Sequence, residues 1–207
     1  MLPTRSQAAQ LMAEAENRNP GPWVRHSEHV AQAAQLIAAR VPGLDPEAAY
    51  LLGYLHDIGR RAGVTDMRHT LDGYQYLSTL GYEDAARICL THSFSVQNIG
   101  AGAGKWDCTP EEYQFVEKYL AVIEYSDYDR LIQLCDSLAL PNGFCLIEKR
   151  LVDVALRYGV NQLSVEKWKR YFQIKDHFER IINQSIYSLL PGVVENTFGF
   201  DFRPPTG

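Results

Sequence analysis

A chain of 207 residues, 46% of them hydrophobic and 22% charged, carries enough apolar side chains for one sizeable core without staples. Its formal net charge of −5 argues against a protein that coats nucleic acid, although a few local cations suffice to hold a phosphate group. The four cysteines, Cys89, Cys108, Cys135 and Cys145, make no C-x-x-C pair and no zinc-finger spacing, so they read as free thiols in a reducing compartment.

Met1 to Gln10 show no basic segment followed by a long apolar run, and no stretch approaches the length of a membrane span. The expectation is a cytoplasmic protein with no signal peptide and no membrane contact. Residues 4–18, rich in Ala, Gln, Glu and Leu, predict a first helix that Asn19-Pro20-Gly21-Pro22 breaks. Val30, Ala33, Ala34, Ile37 and Val41 recur at helical spacing, predicting a helix over 23–40 that Pro42-Gly43 stops. Asp45 is a good N-cap with Pro46 in the first helical position, and the helix is expected to run to Ile58. Residues 69–80 and 82–93 read as two shorter helices about Gly81, and the Gly-rich stretch 97–108 as a loop.

Thr109-Pro110-Glu111-Glu112 is a capping box that starts the next helix, leading into 127–140, which Pro141-Asn142-Gly143 ends. Residues 144–158 form another helix before Gly159. Ser164 is expected to cap a long last helix reaching about Leu190, followed from Pro191 by an irregular arm. No period-two pattern persists anywhere, so the fold class is all-α. The chain reads as a single domain over 1–207, with a core over 21–160 and a C-terminal helix and tail over 161–207 packed on it.

The sharpest chemical signal is Leu55-His56-Asp57-Ile58-Gly59-Arg60. A carboxylate at the end of an apolar helix is expensive unless it is paired or binds a metal. Taken alone, the pair is read equally well as an exposed helix end. Other residues join it. His26 shares a helical face with Val30, Ala33 and Ile37, and His69 is followed one turn later by Gly73, which admits a close neighbour. His92 closes a helix after Ile88 and Leu90, and Asp136 sits among Ile132, Leu134 and Leu138. Asp127 and Asp129 compete with Asp136, but they stand at a helix start, where aspartates cap.

Set in order, His26-Ser27-x-x-Val30-Ala31, His56-Asp57-Ile58-Gly59, His69-x-x-x-Gly73, His92 and Leu134-Cys135-Asp136-Ser137-Leu138 resemble the HD-domain metallohydrolases, in particular the HDIG subset. The resemblance covers roughly residues 23–140 and implies a helical bundle with a metal site in its core. It implies that His26, His56, Asp57 and Asp136 bind one divalent ion, and that Asp57 bridges to a second held by His69 and His92. That ligand set suits iron or manganese, with zinc or magnesium as alternatives. Two departures stand out: Arg60-Arg61 where relatives often have Lys, and Ser93 where many have a second His.

The implied activity is phosphohydrolysis of a nucleotide or small phosphate ester, with Asp57 and Arg60 catalytic and Arg60, Arg61 and Lys105 touching substrate. Lys105 enters as part of Gly100-Ala101-Gly102-Ala103-Gly104-Lys105, which lacks the Ser or Thr and the preceding strand of a phosphate-binding loop. The expected partner is a small molecule containing phosphate, not a nucleic-acid polymer. Two rivals share the pattern: a mixed-valent di-iron oxygenase of the same fold acting on a polyol or organophosphonate, and a sensory module that keeps the metal without turnover. His29 reads as a partly exposed helix residue and His177 as structural. Tyr50, Tyr54, Tyr74 and Tyr76 flank the metal segments as core aromatics or base-stacking candidates.

Overall fold

The computed structural model describes residues 1–200; the end of the predicted irregular arm, 201–207, lies outside the described residues. Among the described residues ten α-helices carry the fold, beside one short hairpin. No helix is long and apolar enough to cross a membrane. The helix α1 (Arg5–Arg18) starts at Thr4, whose hydroxyl accepts from the Gln7 amide while the Gln7 side chain accepts from the Thr4 amide. Pro20-Gly21-Pro22 then turns the chain into α2 (Trp23–Ala38). Its buried face, Val30, Ala33, Ala34 and Ile37, lies on α3 (Pro46–Leu55). The two backbones run so close at Gly53 that a Cβ there would stand 2.9 Å from the Ala31 Cα.

Asp45 caps α3, accepting from the Glu47 amide at 2.9 Å. The helix ends at Leu55, short of the Ile58 expected from sequence, and the chain tightens into a 3-10 turn over Ile58–Ala62. The reason is packing. Gly59 presses onto α4 (Arg68–Thr79) so closely that a Cβ would collide with the His69 carbonyl oxygen and the Gly73 nitrogen. Gly73 in turn lies under Cys89 of α5 (Glu83–Thr91), where a Cβ would meet Sγ at 2.9 Å. Gly59 and Gly73 thus let three segments converge.

Two further capping boxes start α6 (Pro110–Val122) at Thr109 and α7 (Asp127–Asp136) at Ser126. The predicted helix to residue 140 ends instead at Asp136, and Ala139–Leu140 (β1) pairs antiparallel with Gly143–Phe144 (β2) around Pro141-Asn142. Then come α8 (Ile147–Tyr158) and α9 (Ser164–Ile182). The expectation of one helix to Leu190 capped by Ser164 is corrected twice. Ser164 is the first helical residue and its hydroxyl accepts from the Asn161 amide at 2.8 Å, and the helix stops at Asn183, which adopts φ 53°. The arm after Pro191 contains α10 (Val193–Phe198), tied down by Asn196 donating to the Phe144 carbonyl at 2.7 Å. The main core runs from Ala8 to Val193, and a smaller one, including Met67, Leu71, Phe94 and Val116, joins α6 to α4 and α5.

Asp129 is fully buried and bolts α7 to α5, accepting from Arg87 at 2.7 Å, Thr91 at 2.7 Å and Ser126 at 2.6 Å. Burial alone pushes its carboxyl up, but the hydrogen bonds from Arg87, Ser126 and Thr91 outweigh burial and hold it below the ordinary value. A depressed native value contributes stability above the unfolded carboxyl's pKa, and that contribution disappears as pH falls through the native one. Asp129→Asn should therefore cost about 1.5–3 kcal/mol in urea unfolding at neutral pH. The gap from wild type should close on acidification below the native pKa; a gap independent of pH would refute the electrostatic account. Gly59→Ala should cost about 1–3 kcal/mol or more through overpacking, read as a lowered urea midpoint. An unchanged midpoint would mean that the turn and α4 separate freely.

Candidate metal centre

Four helix ends and one helix face meet at a single point. His56 caps the C-terminus of α3, Asp57 follows it, His92 caps the C-terminus of α5, and Asp136 is the last residue of α7. His69 lies in the first turn of α4, and His26 projects from the inner face of α2. All four histidines and Asp57 are buried. Neighbouring rings sit 5.4 Å apart for His26 and His56, 4.9 Å for His56 and His92, and 5.5 Å for His69 and His92.

The backbone fixes how the imidazoles point. His56 Nδ1 donates to the Gly53 carbonyl at 2.7 Å, His92 Nδ1 to that of Cys89 at 2.9 Å, and His69 Nδ1 to that of Asp66. A carbonyl only accepts, so each Nδ1 carries the proton and each Nε2 offers its lone pair inward. Those lone pairs surround Asp57: His69 Nε2 is 3.2 Å and His92 Nε2 3.6 Å from Oδ1, and His56 Nε2 is 3.9 Å from Oδ2. Across the centre His26 Nε2 meets Asp136 Oδ1 at 2.9 Å.

Two triads result, His26-His56-Asp57 and Asp57-His69-His92, each with ligand atoms within 4.8 Å of one another. Asp57 belongs to both. Its Oδ1, His56 Nε2 and His69 Nε2 are buried with no hydrogen-bond partner. Orphaned buried polar atoms cost about 1–3 kcal/mol each. Lone pairs and a carboxylate aimed at one another are what a divalent cation satisfies, so the residues fit such an ion.

The charge states fit too. Burial favours the neutral carboxyl at Asp57, but Arg60, His56 and His69 overcome it and hold the group well below the usual range. At Asp136 burial is likewise outweighed, by the His26 hydrogen bond and Arg150. Burial, then the neighbouring His56, drives His92 down to about 3, and burial lowers His26 against the pull of Asp136. Charged carboxylates, as at Asp57 and Asp136, and neutral imidazoles, as at His26 and His92, are the forms that ligate.

Arg60 Nε donates to Asp57 Oδ2 at 2.6 Å, and its guanidinium borders the cavity over the centre. Residues three apart eclipse in a 3-10 turn, which sets Arg60 directly over Asp57. Arg61 is thereby rotated away: its guanidinium stacks 3.8 Å from the Tyr76 ring centroid and does not line the cavity. Lys105 is exposed and also lies off the cavity wall, with its amide held by Asp66 and its carbonyl by Met67. These two expected substrate contacts are therefore not brought to the centre.

Asp129 is spent on Arg87 and Thr91, which leaves Asp136 as the aspartate of α7 at the cluster. His29 bonds the Arg25 carbonyl and packs its edge on Phe144, and His177 lies against Phe178. Tyr50 and Tyr54 stack on each other, and Tyr74 packs on Phe115. All four cysteines are free, and none belongs to the cluster.

The cavity over the centre measures about 300 Å³. Its wall also contains residues that sequence reasoning missed: Arg150, whose Nη2 lies 3.4 Å from Asp136 Oδ1, and Arg157, Lys167, Trp168 and Tyr171. A signal for two of them existed. Arg150 shares a helix face with Ile147, Leu151 and Val154, and Lys167 with Tyr171, Ile174 and Phe178, so both are charges on apolar stripes. A second cavity of about 450 Å³ opens on the other side, bordered by Trp23, His26, Asp57, Arg60 and Arg150.

No curated protein and no solved structure matches the chain. A family model for the HD domain matches residues 23–140, more than half of the sequence and the whole span from His26 to Asp136. The chain belongs to the HD domain family, whose members are in general metal-dependent hydrolases of phosphate esters.

Proposed function

We propose that this protein is a phosphohydrolase that cleaves a nucleotide or small phosphate ester at a centre for two divalent ions, iron or manganese in the first place and zinc or magnesium as alternatives. The observation that carries the reading is Asp57, one buried carboxylate shared by two complete triads. When bound, such ions neutralise charge on a phosphate and lower the pKa of water at the centre.

The chain's own residues supply the rest. Arg60 spends Nε on Asp57 and keeps its terminal nitrogens for a phosphate, which a guanidinium grips in a bidentate fork. Asp57 and burial act on it in opposite directions, and its pKa ends raised, so Arg60 stabilises charge and does not donate a proton. Arg150 is engaged on three sides, with Asp136 Oδ1, the Asp136 carbonyl and Asp153, and so orients Asp136 and does not reach for substrate.

Asp57→Ala, purified without added metal, should lose bound metal and turnover together, measured by elemental analysis and a phosphatase and phosphodiesterase panel. Retained metal in that variant would remove Asp57 as the shared ligand. Arg60→Ala should keep its metal and lose about 10²–10³-fold in kcat/KM, the scale of one charge-stabilising donor. An unchanged rate would place phosphate recognition elsewhere on the cavity wall. The reaction class is decided by running the panel with and without oxygen. Equal phosphate release in both supports the hydrolase; oxygen uptake with an organic substrate and a mixed-valent paramagnetic signal would replace it with the di-iron oxygenase.

A further inference from the structure

The cavity wall opposite the His/Asp centre comes from α8, α9 and the segment 101–104, and α8 and α9 lie beyond the matched HD region. On it stands Lys167, on the buried face of α9. Its ammonium donates to the Ala101 carbonyl at 3.0 Å and lies 6.0 Å from the Tyr171 ring centroid. Every other lysine or arginine bordering the cavity has a carboxylate: Arg60 has Asp57, Arg150 has Asp136 and Asp153, and Arg157 has Asp153. Among the described residues no carboxylate pairs with Lys167. An ammonium has three donors, and one neutral acceptor leaves two to satisfy. Burial pushes its pKa down to about 8, with Asp136 resisting and Arg150 adding to the fall, so the charged form still dominates at neutral pH. A partly desolvated cation without a counter-charge is costly, and an anion arriving in the cavity removes that cost.

Position separates this cation from the reacting end. Asp57, Arg60 and Arg150 border both cavities, whereas Lys167 borders only the first, beside Ser164 and Trp168. We propose that Lys167 anchors a second anionic group of the substrate, so that the preferred substrate is a small phosphorylated molecule bearing a carboxylate or a further phosphate away from the ester that is cut. This rests on the phosphohydrolase reading above. Trp168 and Tyr171 would pack along the body between the two charged ends.

The test compares glycerol phosphate, phosphoglycerate and glycerol bisphosphate on the metal-loaded enzyme. The doubly charged esters should be preferred, and the better of the two tells carboxylate from phosphate. Lys167→Met should reduce that preference in kcat/KM by about 10- to 100-fold, through KM, as expected for one charged hydrogen bond. Lys167→Arg should keep most of it. A preference unaltered in Lys167→Met would overturn the proposal. So would an equal fall in kcat on all three esters, which belongs to a proton donor or to a support of the fold. Should neither these three nor the phosphatase and phosphodiesterase panel be hydrolysed, the activity reading is what fails, and calorimetry with phosphoglycerate decides on Lys167 by itself. Tighter binding by wild type than by Lys167→Met supports the anchor, and equal affinity overturns it.

Discussion

Asp57 keeps a negative charge where almost no water reaches it, and most of the surrounding architecture compensates for that one carboxylate. Arg60 reaches it because the chain leaves α3 as a 3-10 turn, the turn exists because Gly59 can lie flat on α4, and the same contact brings His69 to Oδ1. His56 and His92 arrive from the ends of α3 and α5. A substitution at either glycine therefore acts on the centre without touching it, by moving the segments that carry its ligands.

Electrostatics beyond the side chains points the same way. The helices α3, α5 and α7 all terminate at the cluster, so three sets of C-terminal carbonyls, each equivalent to roughly half a negative charge, converge there. Against them α4 and α2 bring their first turns, through His69 and His26. Together with the two aspartates this makes a focus of negative potential in the core. Elsewhere on the cavity wall stand Arg157 and Lys167. A molecule in between meets a cation-seeking centre on one wall and cations on the other, which orients an anion before any bond is made.

The six residues of the centre were legible as an ordered set, His26, His56-Asp57, His69, His92 and Asp136, each near the apolar side of a helical segment and together resembling the HD-domain pattern. Helix starts were legible at Asp45 and Thr109, where the capping side chain sits beside the first turn. Helix ends were harder. The stop at Asn183 has neither glycine nor proline, and the shift to a 3-10 turn after Asp57 depends on a neighbour, α4, that no local pattern announces. That Arg60 faces the cavity and Arg61 does not was hidden for the same reason, since a three-residue turn and a four-residue turn aim successive side chains differently. Arg150 and Lys167 went unseen because they lie outside the ordered motif, and their meaning appears only when α8 and α9 close over the centre.

The hydrogen bonds from His56, His69 and His92 to main-chain carbonyls settle how protons can be handled here. Each of these rings has one nitrogen committed to a carbonyl and the other to the centre, so none can take a proton on one side and release it on the other. In these three rings the imidazole, the side chain most often used to relay protons near neutrality, is withdrawn from that task. On the phosphohydrolase reading proposed above, a departing alkoxide would draw its proton from water or from the outer wall of the cavity. On that reading the centre would favour leaving groups that tolerate negative charge by themselves.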